Sequence, residues 1–192
     1  MNARTTALSA LIAIRRQNAW ADGALKEYIA RDRLSRRDAA LAARLYGEPA
    51  RAMTMIGVTG TKGKTTTTYL FKSIVESAGM RCGIIGTTGC IAGKTKMPSH
   101  LTTPDPIEMF EILRIMADAG VEVVCMEVSA HALYLRKLVG VVFEAAAYTS
   151  LSQDHLDFFG TMDHYFAAKK MLFSNNMTRN AAVNVDEETA QA

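Results

Sequence analysis

The stretch Met55–Thr68, Met-Ile-Gly-Val-Thr-Gly-Thr-Lys-Gly-Lys-Thr-Thr-Thr-Thr, constrains this chain more than any other. The apolar residues Met53, Met55, Ile56 and Val58 read as a buried strand, Gly60–Thr65 breaks it, and a helix-period segment runs on to Ser77. Strand, glycine turn and helix in that order form the setting a phosphate-binding loop requires. Gly60 and Gly63 free the backbone to aim N–H groups at phosphate oxygens, and the helix N-terminus adds its dipole. Lys64 is placed to reach the outer phosphates, and the Thr65 hydroxyl suits Mg²⁺. The strict P-loop pattern asks for glycine five residues before Gly63, where this chain has Val58. The competing account is therefore an ordinary glycine-rich turn. Gly-Lys-Thr opening a helix favours nucleotide.

At 192 residues the chain has room for one ordinary domain plus an extension. A formal net charge of +3 is too small to imply a nucleic-acid partner by itself. The charge is uneven, however, with ten basic and five acidic side chains in Met1–Arg51 against twelve and fourteen in the remainder. Such a basic appendage marks either an RNA contact or a solvated helix surface. The three cysteines, Cys82, Cys90 and Cys125, have no metal-ligand spacing, and their odd number fits a reducing cytoplasm. Ala7–Ile14 is apolar but short and is followed by Arg15-Arg16, so it reads as a helix and not a secretion signal. No apolar run reaches membrane-spanning length, and no membrane partner is expected.

Residues 1–46 read as an arginine-rich helical segment. Its apolar faces are Leu8, Leu11 and Ile12, then Leu25, Tyr28 and Ile29, then Leu41 and Leu45 after a Ser35/Asp38 capping start. Residues 47–53 read as a linker, with Gly47-Glu48-Pro49 stopping the third helix. From residue 54 strands and helices alternate. Strands are expected over Arg81–Thr88, Val121–Val128, Phe143–Tyr148 and Ala181–Val185, with a hairpin over Gly89–Met97. Helices are expected from Pro106 to Gly120 and over Met162–Phe173, and Thr149–Gly160 reads as a polar loop. The fold class that follows is α/β, a doubly wound, mainly parallel sheet with ligands beyond the strands' carboxyl ends.

Unusual polar residues follow these strands. Glu127 ends an apolar run, where a carboxylate is costly unless it meets a cation or donors. Beside a phosphate loop it reads as a second Mg²⁺ ligand, partnering Thr65. Asp154-His155-Leu156-Asp157 lies in the loop after the fourth strand. Lys169 and Lys170 sit on an otherwise apolar helix, and spacing alone gives either lysine a solvated helix face.

Two family resemblances add to this. Ala3-Arg-Thr-Thr-Ala-Leu, Ala19-Trp-Ala-Asp-Gly and Leu34–Leu45 resemble the NusB-like helical domain that precedes some ribosomal RNA cytosine methyltransferases. This implies an RNA-binding or packing role for the N-terminal helices. Over about four fifths of the chain, eight segments resemble the central ATP-binding part of the Mur ligases. These are Tyr46-Gly-Glu-Pro, Ile56–Thr67, Gly86-Thr-Thr, Leu101-Thr-Thr-Pro-Asp, Met126–Leu133, Thr149–Asp157 and Gly160–Lys169, followed by Val183-Asn-Val-Asp-Glu187. The resemblance is closest to members that add the third residue of the peptidoglycan stem peptide.

The resemblance implies an amide-bond ligase of cell-wall precursor synthesis. ATP would phosphorylate the terminal carboxylate of UDP-N-acetylmuramoyl-dipeptide, and an amino acid's amine would attack the acyl phosphate. Gly60, Thr61, Lys62, Gly63, Lys64, Thr65 and Thr66 match the ATP phosphate loop, and Asn184 an asparagine near the adenine. Thr65 and Glu127 match ligands of one Mg²⁺. His155 matches a ligand of a second metal, and Lys169 a lysine carbamylated into a metal ligand. Thr102, Thr103, Ser129 and Lys137 match contacts to the muramoyl-peptide. Ala130, Phe159 and Lys62 depart from the commonest family residues without removing a proposed ligand. The family's C-terminal, amino-acid-binding domain is not expected in this chain. An incomplete or fused form that binds ATP–Mg²⁺ weakly without completing ligation is the expectation. The alternatives are an RNA-associated P-loop module and a folylpolyglutamate-type ligase fragment.

Overall fold

The computed structural model describes residues 36–184, so the two helices expected around Leu8 and Leu25 lie outside the described residues. Helix α1 (Arg36–Leu45) and a 3₁₀ turn (Pro49–Ala52) lead into β1 (Thr54–Thr59) and α2 (Lys64–Ser77). Next come β2 (Cys82–Gly86), the β3 (Gly89–Ala92) and β4 (Thr95–Met97) hairpin, and α3 (Pro106–Asp118). The chain continues through β5 (Val123–Glu127), α4 (Ala130–Tyr134) and β6 (Phe143–Tyr148). It then runs through α5 (Leu156–Phe159), α6 (Met162–Lys170), a second 3₁₀ turn (Met171–Phe173) and β7 (Thr178–Val183).

The seven strands form one sheet in the order β4-β3-β2-β5-β1-β6-β7. Pairing is antiparallel in the β2-β3-β4 meander and parallel elsewhere, as crossover helices demand. Strand β1 lies between β5 and β6 at the centre. Consecutive β5 residues go to opposite faces, and both faces are covered, so the strand is apolar from Val123 to Met126 and carries a charge only at its end, Glu127. Val124 and Met126 enter the larger core with Phe110, Leu113 and Met116 of α3. Val123 and Cys125 enter a small cluster with Val75 of α2 and Cys82 of β2.

Three local features differ from the sequence reading. The final strand begins at Thr178, where Phe143 of β6 is its register partner and the Thr178 hydroxyl donates to Leu172 O at 2.6 Å. The last helix gives way after Lys170 to a 3₁₀ turn that buries Leu172. The polar loop after β6 contains the one-turn helix α5, whose Phe159 is buried against Tyr165. None of these has a periodic signal, because each is set by a tertiary contact.

Ala42 and Ala43 of α1 are buried in the larger core, so the end of the arginine-rich segment packs into the same hydrophobic unit as the sheet. Gly140 makes that approach possible: it has φ +98°, and a Cβ there would lie 2.9 Å from the Ala43 Cβ and 3.2 Å from the Phe110 ring. Gly79 has φ +81° with open space around it. Gly79→Ala should therefore cost only the left-handed backbone penalty, about 1–2 kcal/mol. Gly140→Ala should cost more, with partial recovery when Ala43→Gly is added. Urea midpoints at constant slope measure both; equal losses for the two alanines would contradict the docking of α1.

Candidate active site

The strand-to-helix turn is shaped by two glycines and held by the loop that follows β6. Gly60 has φ +147°, and a Cβ there would collide with Thr149 Oγ1 and lie 2.9 Å from Ser150 N. Gly63 has φ +82° and precedes α2 without a side-chain cap, so no cap side chain competes for the first backbone N–H groups of the helix. Thr61 N donates to Ser150 O at 2.8 Å, Ser152 N donates to Thr61 Oγ1 at 3.0 Å, and Thr149 Oγ1 donates to Lys62 O at 2.6 Å. These bonds strap the turn to residues 149–152. Val58, at the usual glycine position, is buried in β1 and lies before the turn begins. Thr66 and Lys62 are exposed beside the turn.

Lys64 Nζ donates to Gly60 O at 2.9 Å and Thr61 O at 3.0 Å, folding the ammonium over its own loop. Burial lowers its pKa, and the Glu127 charge opposes that. Glu127 has no solvent exposure. Its carboxylate accepts from Thr65 Oγ1 at 3.0 Å, Thr87 Oγ1 at 3.0 Å and Thr87 N at 3.1 Å. Gly86 allows this approach, since a Cβ there would overlap Glu127 Oε1. Thr87 was not a candidate from the sequence; the Gly86-Thr-Thr segment carried the signal without a role.

Lys169 is buried, against the solvated helix face that spacing suggests. Tertiary packing decides the matter: Tyr165, one turn earlier on α6, turns inward, and Lys169 follows on the same face. Its Nζ donates to Gly60 O at 2.8 Å and lies 4.3 Å from the Tyr165 ring centroid. Lys169 and Lys64 thus converge on one carbonyl. The Tyr165 hydroxyl shares a hydrogen bond with Thr61 Oγ1 at 3.3 Å, a link the sequence did not reveal. His155 is exposed, has a left-handed φ of +52°, and places Nε2 3.7 Å from Asp154 Oδ2. Its ring stands 5.9 Å from Tyr165 and 4.7 Å from His131, whose pKa is lowered by burial and then by His155.

The remaining candidates are placed around this centre. Thr102 Oγ1 lies 3.0 Å from Thr87 Oγ1. Thr103 is buried, donating to Glu127 O at 2.9 Å and accepting from Ser129 N at 3.0 Å, so its hydroxyl fixes the end of β5. Ser129 caps α4 by accepting from Ala132 N. Lys137 pairs with Asp105 at 2.6 Å. Asn184 is exposed after β7, its N–H donating to Tyr148 O at 3.4 Å. No group of three or more His, Cys, Asp or Glu side chains with metal-binding geometry occurs among the described residues. The proposed ligand set instead mixes a hydroxyl, a carboxylate, an imidazole and an amine.

Burial, the nearby Lys64 charge and a weaker opposing Asp154 charge bring the Lys169 pKa from 10.5 down to about 7. Between those values the unfolded chain holds a proton that the folded chain has released, so stability rises with pH across the window. The expected slope is at most about 1.4 kcal/mol per pH unit from this group. Lys169→Met should flatten stability between pH 7 and 9 in metal-free buffer, as followed by denaturant titration. An unchanged slope would contradict the burial of a titrating amine.

Residues 58–192 match the model of the Mur ligase middle domain. A UDP-N-acetylmuramoyl-L-alanyl-D-glutamate–2,6-diaminopimelate ligase of Clostridium botulinum is 42% identical over 149 residues, which are 78% of this chain and 30% of that protein. The enzyme of the same name from Corynebacterium glutamicum is 50% identical over 129 residues, 67% of this chain and 25% of that protein. The chain thus spans about a third or less of the length of these relatives. A solved structure of a ligase of that name superposes with TM-score 0.64 at 30% identity, covering 93% of this chain and 32% of the other. A Yersinia pestis folylpolyglutamate synthase/dihydrofolate synthase complexed with AMPPNP and Mn superposes with TM-score 0.65 at 20% identity, covering 81% and 42%, which establishes a shared fold. By the match of its middle domain, the chain belongs to the Mur ligase family.

Proposed function

We propose that this chain carries the ATP-binding centre of an amide-forming ligase that extends UDP-N-acetylmuramoyl-dipeptide by one amino acid, which is 2,6-diaminopimelate in the named relatives. The observation that carries this reading is the Thr65–Glu127 contact at the mouth of a glycine turn whose helix N–H groups are uncapped. Uncapped N–H groups and a folded lysine suit the phosphates of ATP. A hydroxyl touching a carboxylate is a donor set for Mg²⁺, a hard, oxygen-seeking cation. When bound, the ion neutralises phosphate charge.

This chain's own groups do the rest. Lys64 exchanges two loop carbonyls for phosphate oxygens, and Glu127 holds Thr65 in the orientation that faces them. The strap through Thr149, Ser150 and Ser152 keeps the turn open and limits its motion. His155 and Lys169, joined through Tyr165, form a second donor pair; with the amine neutral, Lys169 can react with CO₂ to become an anionic ligand. Thr102, Ser129 and Lys137 line the approach of the muramoyl-peptide carboxylate, which receives the γ-phosphoryl group before the amino acid's amine displaces phosphate. The protein supplies no nucleophile; positioning and charge neutralisation supply the rate. Among the described residues no helix is long and apolar enough to cross a membrane.

Calorimetric titration of ATP with Mg²⁺ and with chelator tests the reading. Lys64→Ala should weaken binding by about 1.5–3 kcal/mol, the range for a charge-assisted hydrogen bond. Glu127→Gln should abolish the difference between Mg²⁺ and chelator. Full-strength, Mg²⁺-dependent binding in both variants would refute the assignment.

A further inference from the structure

We propose that Cys82 and Cys125 form an oxidative modification site, a dithiol that a peroxide closes into a disulfide joining β2 to β5. In the parallel β2–β5 register Cys82 stands opposite Val123 and Cys125 opposite Ile84, so the two are diagonal neighbours on one face of the sheet. Their Sγ atoms are 3.7 Å apart and share a hydrogen bond. Closing that gap to a disulfide bond of about 2.05 Å draws the two strands together at this point, because diagonal neighbours on a sheet start farther apart than a disulfide's usual span. Cys90, the third thiol, lies on β3 in the larger core and has no such neighbour among the described cysteines.

Both thiols are buried, but their cover is thin. The cluster holds only Val75 and Val123 beside them, and the residues packed against it, Ile56 and Phe71, are themselves partly exposed. The covering helix α2 turns Leu70 and Ile74 out to solvent, so a small opening of one helix admits a molecule the size of hydrogen peroxide. The bond from Cys125 holds the Cys82 thiol below its ordinary value against burial. Lys72 on α2, ion-paired with Glu76, adds positive charge near both. Cys82 is therefore the attacking thiolate.

The chemistry balances. The Cys82 sulfur attacks one peroxide oxygen, the O–O bond breaks, and water leaves as Cys82 becomes a sulfenic acid. The Cys125 sulfur then attacks the Cys82 sulfur, the S–O bond breaks, and a second water carries away the Cys125 proton. Two thiols are oxidised and one peroxide is reduced.

The position gives the cross-link a consequence, which rests on the ligase reading of the neighbouring site. Cys125 lies two residues before Glu127, and Cys82 leads through Gly86 to Thr87, a donor to the Glu127 carboxylate. Gly86 has no room for even a methyl group against that carboxylate. Drawing β2 and β5 together at the thiols therefore displaces Glu127 relative to Thr65. Oxidation is expected to weaken Mg²⁺–ATP binding by about tenfold, or 1.4 kcal/mol.

The test treats the native chain with hydrogen peroxide, alkylates it after unfolding, and maps the peptides. The expected result is a Cys82–Cys125 cross-link reversed by dithiothreitol, with Cys90 alkylated in full. In Cys125→Ser, Cys82 should be trapped by dimedone as the sulfenic acid; in Cys82→Ser, Cys125 should not. Three intact thiols, or oxidation of Cys90 at the same rate, would overturn the site. A cross-linked chain with unchanged ATP affinity would overturn the control of binding while leaving the dithiol. A reduced chain that binds no ATP would instead overturn the ligase reading, and the peptide map would still decide the cross-link.

Discussion

A carboxylate with no solvent exposure is costly unless donors surround it, and Glu127 is placed at the one point where three are available. One comes from the start of α2, and two come from the turn after β2. The Glu127 backbone carbonyl adds a fourth bond, from Thr103 in the loop before α3. This residue therefore ties together the ends of β2 and β5, the helix that begins at Lys64, and the loop carrying Thr102 and Thr103. If its side chain were removed, each of these segments would lose its common partner.

The same economy appears at Gly60 O, which accepts from both Lys64 and Lys169. Burial penalises the Lys169 ammonium most, and the Lys64 ammonium that meets it at the same carbonyl adds repulsion. That is the physical reason the Lys169 amine is driven toward neutrality while it stays within reach of the turn. Tyr165 makes the arrangement rigid: its hydroxyl holds Thr61 and its ring lies under Lys169. A neutral amine at this place suits a ligand set far better than a free cation does.

Much of this was legible before coordinates. The run Val123–Val128, buried on two faces, and the run Phe143–Tyr148, buried at Phe143, Ala146 and Tyr148, are short and bounded by turns, so their strands could be located from sequence. The glycine turn and the start of α2 were equally plain, because Gly-Lys-Thr after a strand has few structural meanings. Thr87, Tyr165 and the Thr149–Ser152 strap escaped a residue reading. Threonine, serine and tyrosine carry no periodic signal, and their roles come from bonds between segments some forty to one hundred residues apart. Lys169 was misjudged by spacing for the same reason: its burial depends on Tyr165 packing inward. The family resemblance named Lys169 and His155, yet the path that connects them through an aromatic ring is visible only in three dimensions.

The account rests on one local arrangement, the turn at Gly60–Thr65 facing Glu127. The most direct measurement is a crystal structure of the chain with a non-hydrolysable ATP analogue and Mn²⁺, with the ion located by its anomalous scattering. The expected result is a peak between Thr65 Oγ1 and the Glu127 carboxylate, with Lys64 Nζ moved from the Gly60 and Thr61 carbonyls to phosphate oxygens. A peak elsewhere, with Thr65 still bonded to Glu127 and Lys64 still folded on its loop, would contradict it.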